Sequence, residues 1–127
     1  VFFPNLLTVF LIVKIDDVLI ITKNIGATCE IRSNSLTIRQ KEKWITIGDN
    51  DGPAHMHINS EMIKSAEFVK EQKPDRISFS VRFFDVENQR LIAAFFTKMY
   101  DESKNLISER EFLYNSLNEK YSSKIKF

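Results

Sequence analysis

Apolar and polar positions alternate along much of this chain, and a period of two marks half-buried strands. In Ile77-Ser-Phe-Ser-Val-Arg-Phe83 the residues Ile77, Phe79, Val81 and Phe83 fall on one face, and Ser78, Ser80 and Arg82 on the other. This pattern predicts an antiparallel strand with one solvated side. Asp85-Val-Glu-Asn-Gln89 supplies a turn, and Arg90-Leu-Ile-Ala-Ala-Phe-Phe-Thr97 returns with apolar residues on both faces, as a central or covered strand does. Upstream, Val18-Leu-Ile-Ile-Thr22 and Ala27-Thr-Cys-Glu-Ile-Arg32 flank the turn residues Asn24-Ile-Gly26 and pair as a hairpin. Residues 36–39 and 44–47 follow as the third and fourth strands. Gly48-Asp-Asn-Asp-Gly-Pro53 is a loop by its composition.

The period continues in Ala54-His-Met-His-Ile58, which places both imidazoles on one side and Met56 on the other. Residues 59–72 send a mixed signal. Their first half favours a helix capped by Asn59 or Ser60, whereas Ala66-Glu-Phe-Val-Lys70 reads as a strand. The period changes to that of a helix near the C-terminus. Ser108-Glu-Arg-Glu111 has capping-box form, Ile107 and Phe112 are spaced as a hydrophobic staple, and Leu113, Leu117 and Tyr121 continue an apolar stripe. Residues 122–127 are expected to fray. Seven or eight short strands with one terminal helix make an α+β fold, a mainly antiparallel sheet with the C-terminal helix packed on it.

The opening run Val1-Phe-Phe-Pro-Asn-Leu-Leu-Thr-Val-Phe-Leu-Ile-Val13 is shorter than the ~20 apolar residues of a membrane span. Pro4 and Asn5 interrupt it, and Lys14, Asp16 and Asp17 close it. It also lacks the basic start and small-residue cleavage site of a signal peptide. Residues 1–15 are therefore expected to be a buried segment or the remnant of an N-terminal helix. The whole chain, 1–127, reads as a single domain, with no membrane partner and a cytoplasmic location.

Charge narrows the function classes. With 18 Lys+Arg against 17 Asp+Glu the net charge is +1, too balanced for a protein whose main task is to hold nucleic acid. Cys29 is the single cysteine, so no intrachain disulfide forms; its position in a strand predicts a buried, inert thiol. The three glycines, Gly26, Gly48 and Gly52, make neither a phosphate-cradling loop nor a dinucleotide fingerprint, and there is no nucleophile elbow. Asp16-Asp17 and Asp49-Asn50-Asp51 read as turn residues and solvated charge. The remaining chemistry is His55-x-His57, a pair able to hold a metal or ligate a haem iron. The plainer alternative has one imidazole packed inside and the other in solvent.

At this point a family comes into view. Trp44-Ile-Thr-Ile47, Gly52-Pro-Ala-His-Met-His-Ile58, Ala66-Glu-Phe-Val-Lys70, Ile77-Ser-Phe-Ser-Val-Arg-Phe-Phe-Asp85 and Leu91-Ile-Ala-Ala-Phe-Phe96 resemble the repeat unit of the HemS/ChuX (HutX-like) haem-utilisation family. Upstream, Val18-Leu-Ile-Ile-Thr-Lys-Asn24 and Ala27-Thr-Cys-Glu30 resemble that family's "T-R-N" and "V-H-E" segment, with Cys29 where the pattern has histidine. The resemblance runs from about Val18 to Lys98 and covers one unit, not a tandem pair. It implies a split-barrel-like antiparallel sheet flanked by helices, a homodimer, and haem as cofactor and partner. His57 and His55 fall on a histidine-bearing segment of the family and become the candidate ligands of haem iron or another metal. Arg82 becomes a candidate partner for the haem propionates, because arginine binds carboxylates bidentately.

Three functions follow as expectations. The first is a haem-binding or haem-trafficking protein without an enzymatic activity. The second is a non-catalytic interaction module that retains the fold without haem. The third is a small metal-dependent enzyme, or metal-binding protein, centred on His55 and His57, with a carboxylate from Asp49 or Asp51.

Overall fold

The computed structural model describes residues 12, 14–34, 36–48, 52 and 54–122. The expectations for residues 1–11, for Asp49 and Asp51, and for the tail beyond 122 lie outside the described residues. Ile12 and Lys14 are helical, and Ile12 and Ile15 are fully buried.

Eight strands follow in order: β1 (Val18–Lys23), β2 (Thr28–Ser33), β3 (Ile38–Lys41), β4 (Trp44–Ile47), β5 (Met56–Asn59), β6 (Ser65–Gln72), β7 (Ile77–Phe84) and β8 (Arg90–Phe96). The helix α1 (Ser108–Ser122) comes last. The strands form two antiparallel sheets, five-stranded in the order β2-β1-β8-β7-β6 and three-stranded in the order β3-β4-β5. The β1–β2 and β7–β8 hairpins are those the alternation predicts, the second with a bulge at Phe83/Phe84. β8, apolar on both faces, lies between β1 and β7. The mixed signal of residues 59–72 resolves into a 3₁₀ turn at Ser60–Met62, capped by Asn59 Oδ1 accepting from the Glu61 amide at 3.0 Å, and then strand β6.

A single apolar cluster joins the layers. The inner face of the five-stranded sheet gives Val18, Ile20, Phe79, Val81, Phe83, Ile92, Ala94 and Phe96; the inner face of the three-stranded sheet gives Ile45, Ile47 and Ile58. Helix α1 covers the Phe79–Phe96 end of the same face. Its Tyr114, 1% exposed, meets the rings of Phe68, Phe79 and Phe96 edge-on at centroid distances of 5.6, 5.1 and 5.1 Å.

Four expectations are corrected. The other face of β7 is not simply solvated: Ser80 is fully buried, because its register neighbours Phe95 on β8 and Val69 on β6 overhang the small side chain. Cys29 is exposed, since β2 is an edge strand in which only Ile31 is buried. The helix begins one residue earlier than the capping box requires: the Glu111 amide donates to Ile107 O at 3.0 Å, so Ser108 is already inside the first turn. With Ile107 at the cap position itself, Phe112 is out of staple register and 73% exposed, and the buried stripe is Tyr114, Leu117 and Tyr121, with Leu113 at its margin.

Candidate functional site

The β3-β4-β5 meander has two unlike faces because its strands alternate in register. Ile38, Ile47 and Met56 align on the core side, as do Ile45 and Ile58. Arg39, Thr46 and His57 align on the opposite side, with Lys41, Trp44 and Asn59 forming the next row. His55, two residues before His57, extends this outer face. The β3–β4 connection is a tight turn with Glu42 at φ 57°, and it holds Lys41 directly opposite Trp44.

Both histidines are exposed, and their rings meet edge-on with centroids 5.1 Å apart. The pair expected on one strand face is therefore on one face. The alternative of one packed and one solvated imidazole does not describe it. His57 is additionally fixed: its Nδ1 lies 2.9 Å from the Thr46 hydroxyl, across the β4–β5 pairing. When Nδ1–H donates to Thr46 Oγ1, the lone pair is on Nε2, which is turned away from that contact. Thr46 itself is only 8% exposed and cannot wander.

Beside His57 lies a shallow depression of about 480 Å³, lined by Arg39, Lys41, Glu42, Trp44, Thr46 and His57. Trp44 is 45% exposed, an apolar ring left facing outward, with the Lys43 ammonium 6.0 Å from its centroid. A second, smaller depression of about 240 Å³ on the other side of His57 is lined by Met56, Met62, Leu91 and Ile92 among others. His57 thus stands on a ridge between two concavities, with an aromatic wall and two cations on one flank and apolar side chains on the other. Chemically, this arrangement offers one oriented imidazole, a flat apolar surface and two positive groups for an anionic edge.

Arg82 is elsewhere. It lies on the outer face of the five-stranded sheet, where its Nη2 donates to Glu71 Oε2 at 2.9 Å and its Nε to Ser80 Oγ at 3.3 Å. Glu71 is also paired with Lys73. The Lys73 hydrogen bond, followed by that of Arg82, lowers the Glu71 carboxyl to about 2. Neither depression beside His57 includes Arg82. Among the described residues no three His, Cys, Asp or Glu side chains converge to hold a metal ion.

The residues missed by sequence reasoning are Arg39, Lys41, Trp44 as a site wall, and Thr46. The signal was available in part: Trp44-Ile-Thr-Ile47 alternates, so Trp44 and Thr46 had to share a face. What alternation omits is the register that places that face beside His57.

A protein-family model matches residues 6–122. No curated protein matches the sequence. Among solved structures, a crystal structure of ChuX superposes with a TM-score of 0.78 at 16% identity, over 97% of this chain and 76% of that one. A structure of the heme binding protein ChuX gives 0.74 at 16% identity, over 91% and 71%. Apo-PhuS, a heme-binding protein from Pseudomonas aeruginosa, gives 0.70 at 14% identity over 88% of this chain but 33% of that one. The two antiparallel sheets and C-terminal helix are thus the fold of ChuX, and of about one third of PhuS.

Proposed function

The chain belongs to the HemS/ChuX-like family, and from that membership we propose that it binds haem on the outer face of its three-stranded sheet, with His57 as the iron ligand. The observation that carries this reading is the 2.9 Å contact between His57 Nδ1 and Thr46 Oγ1. A ligating imidazole that donates its other N–H to a fixed oxygen is held in one tautomer and one orientation. The donor set around it fits the group: an exposed indole for a porphyrin face, and Arg39 and Lys41 for carboxylates. Haem, when bound, contributes an iron that accepts the Nε2 lone pair. The chain's part is to orient that lone pair, stack the ring and neutralise the carboxylates.

The site suits passing haem on better than enclosing it. His55 stands 5.1 Å from His57 and is a second imidazole within reach of a ligand leaving the first. Both are exposed, and the two concavities beside them are open, so a carried group stays accessible to an acceptor. Arg39 and Lys41 replace Arg82 as the propionate partners in this reading, because they line the depression beside His57 and Arg82 lies on the other sheet. A homodimer accompanies the proposal, as the single repeat implies; sedimentation at micromolar concentration reads it directly.

Haemin titration tests the ligand. The expected result is a saturable one-to-one Soret spectrum, lost in His57→Ala and broadened or weakened in His55→Ala. Equal, unsaturable signals from the native protein and a His55→Ala, His57→Ala double variant would mean haemin only coats apolar surface. The interaction module without haem would then stand in its place. Metal content of the purified protein separates that module from a histidine-centred metal protein.

A further inference from the structure

The register of the β3-β4-β5 meander arranges its outer face as a small grid. Arg39, Thr46 and His57 make one row, and Lys41, Trp44 and Asn59 the next. Each row crosses two strand spacings, roughly 10 Å at ~4.8 Å each, and the rows lie about 7 Å apart, two residues along a strand. The depression on this grid, about 480 Å³, falls within the ~300–1,000 Å³ of small-molecule sites. A patch of these dimensions offers one face to a ring system wider than any single side chain.

Its chemistry is unevenly divided between a metal and an organic frame. Only the imidazoles address a metal, and among the described residues no three His, Cys, Asp or Glu side chains converge on one. The other groups would serve a flat anion whatever its centre holds. The Trp44 indole is 45% exposed, with the Lys43 ammonium 6.0 Å from its centroid. Arg39 and Lys41 line the same depression. So does Glu42, a like charge to any carboxylate placed there, but it stands on the tight turn at φ 57° and faces three cations. The balance around the indole is positive.

We propose that this face also binds iron-free dicarboxylic porphyrins, stacked on Trp44 with their carboxylates on Arg39 and Lys41, a reading that rests on the haem site proposed above for its location alone. Ring stacking and charge-assisted pairing act on the macrocycle and its carboxylates, which porphyrins with and without iron share. Only the Nε2 lone pair of His57 needs the metal. Affinity for the organic frame and affinity for iron are thus set by different residues, Trp44 and Lys41 for the first and His57 for the second. The protein holds the macrocycle whether or not iron is in it.

Trp44 is the chain's one tryptophan, so its fluorescence reports on this site directly. The full chain is titrated with iron-free mesoporphyrin IX, which carries two carboxylates, and with a tetracationic N-methylpyridinium porphyrin of the same flat core. Saturable one-to-one quenching by mesoporphyrin is expected, with the cationic ring weaker by roughly tenfold or more. Lys41→Glu is expected to weaken mesoporphyrin by a similar factor, and Trp44→Leu, followed by the porphyrin's own emission, by severalfold. Both side chains are exposed, and an unchanged thermal midpoint is expected to show that the variants fold. His57→Ala should keep mesoporphyrin affinity within about threefold while losing the ligated Soret spectrum with haemin. Quenching that does not saturate, equal binding of the cationic ring, or loss of mesoporphyrin binding in His57→Ala would overturn the proposal. The two readings fail separately: mesoporphyrin binding without ligated haemin removes the iron ligand and keeps the platform, and ligated haemin without mesoporphyrin binding does the reverse.

Discussion

Thr46 and His57 meet because two strands pair in one register, yet the consequence is atomic. With Nδ1–H donated to Thr46, the imidazole offers Nε2; without it, the ring rotates and both tautomers populate. Thr46→Val keeps the shape and removes the oxygen, and should weaken haemin affinity by roughly 10–100-fold without abolishing it. A titration of the variant beside His57→Ala reads this, since the latter loses the signal outright. Glu71 makes a pH prediction of a similar grain. Its folded-state pKa, about 2, lies below the ordinary carboxylate value because Lys73 and then Arg82 hydrogen-bond the ionised form. The ion cluster therefore stabilises the fold above about pH 4.5, and the contribution is lost as the pH falls from there towards 2. Glu71→Gln should melt below the native protein at pH 7, and the difference in Tm should close on acidification; because Glu71 is solvated, the difference is small throughout.

At the scale of elements, Gly48 sets the approach of the histidine strand. Its φ is +91°, and an added Cβ would lie 2.7 Å from Ala54 O and 3.2 Å from His55 Cα. Backbone conformation and close approach thus both demand glycine where β4 leaves the sheet. Gly48→Ala is expected to cost roughly 2–3 kcal/mol, measured by denaturant unfolding, and to push His55 away from its T-shaped contact with His57. The helix is a different case. Its sequence signals placed it to within one residue, and that residue removes the cap and the staple while Leu117 and Tyr121 stay buried. The stripe read from spacing contained Leu117 and Tyr121 and missed Tyr114, the residue about which three phenylalanines are arranged. A helix on a sheet is positioned by the cavity it fills, and i, i+4 spacing from Leu113 does not by itself show that Tyr114, three residues before Leu117, faces that cavity.

At the scale of the whole molecule, Arg110 joins parts far apart in sequence. From α1 it donates to Ile15 O at 2.6 Å, Asp17 O at 2.9 Å and Thr97 O at 2.8 Å, and its guanidinium lies over the Phe96 ring at 5.9 Å. One side chain thus ties the entry of β1 and the exit of β8 to the helix. Burial lowers its pKa; the three carbonyls accept from its two terminal nitrogens, while Nε is buried without a partner. Arg110→Ala takes this donor from Ile15 O and Thr97 O, while Asp17 O keeps the Thr97 amide, and should cost about 3 kcal/mol, seen as a loss of Tm that affects both sheets in one transition. Among the described residues no helix is long and apolar enough to cross a membrane.

The sequence by itself determined the strands, the hairpins and the pairing of His55 with His57 on one face, because these are local: alternation sets the face and turn residues set the hairpins. It also carried the family pattern, through the order of those strands. Tertiary structure alone decided that β1 pairs with β8, that β3, β4 and β5 separate into their own sheet, and that Arg39, Lys41 and Trp44 stand beside His57 while Arg82 does not. The reason is physical. Alternation tells which residues share a side of a strand, whereas the neighbours across a sheet are set by long-range register. That register is fixed by how the two inner faces and Tyr114 fill one common core.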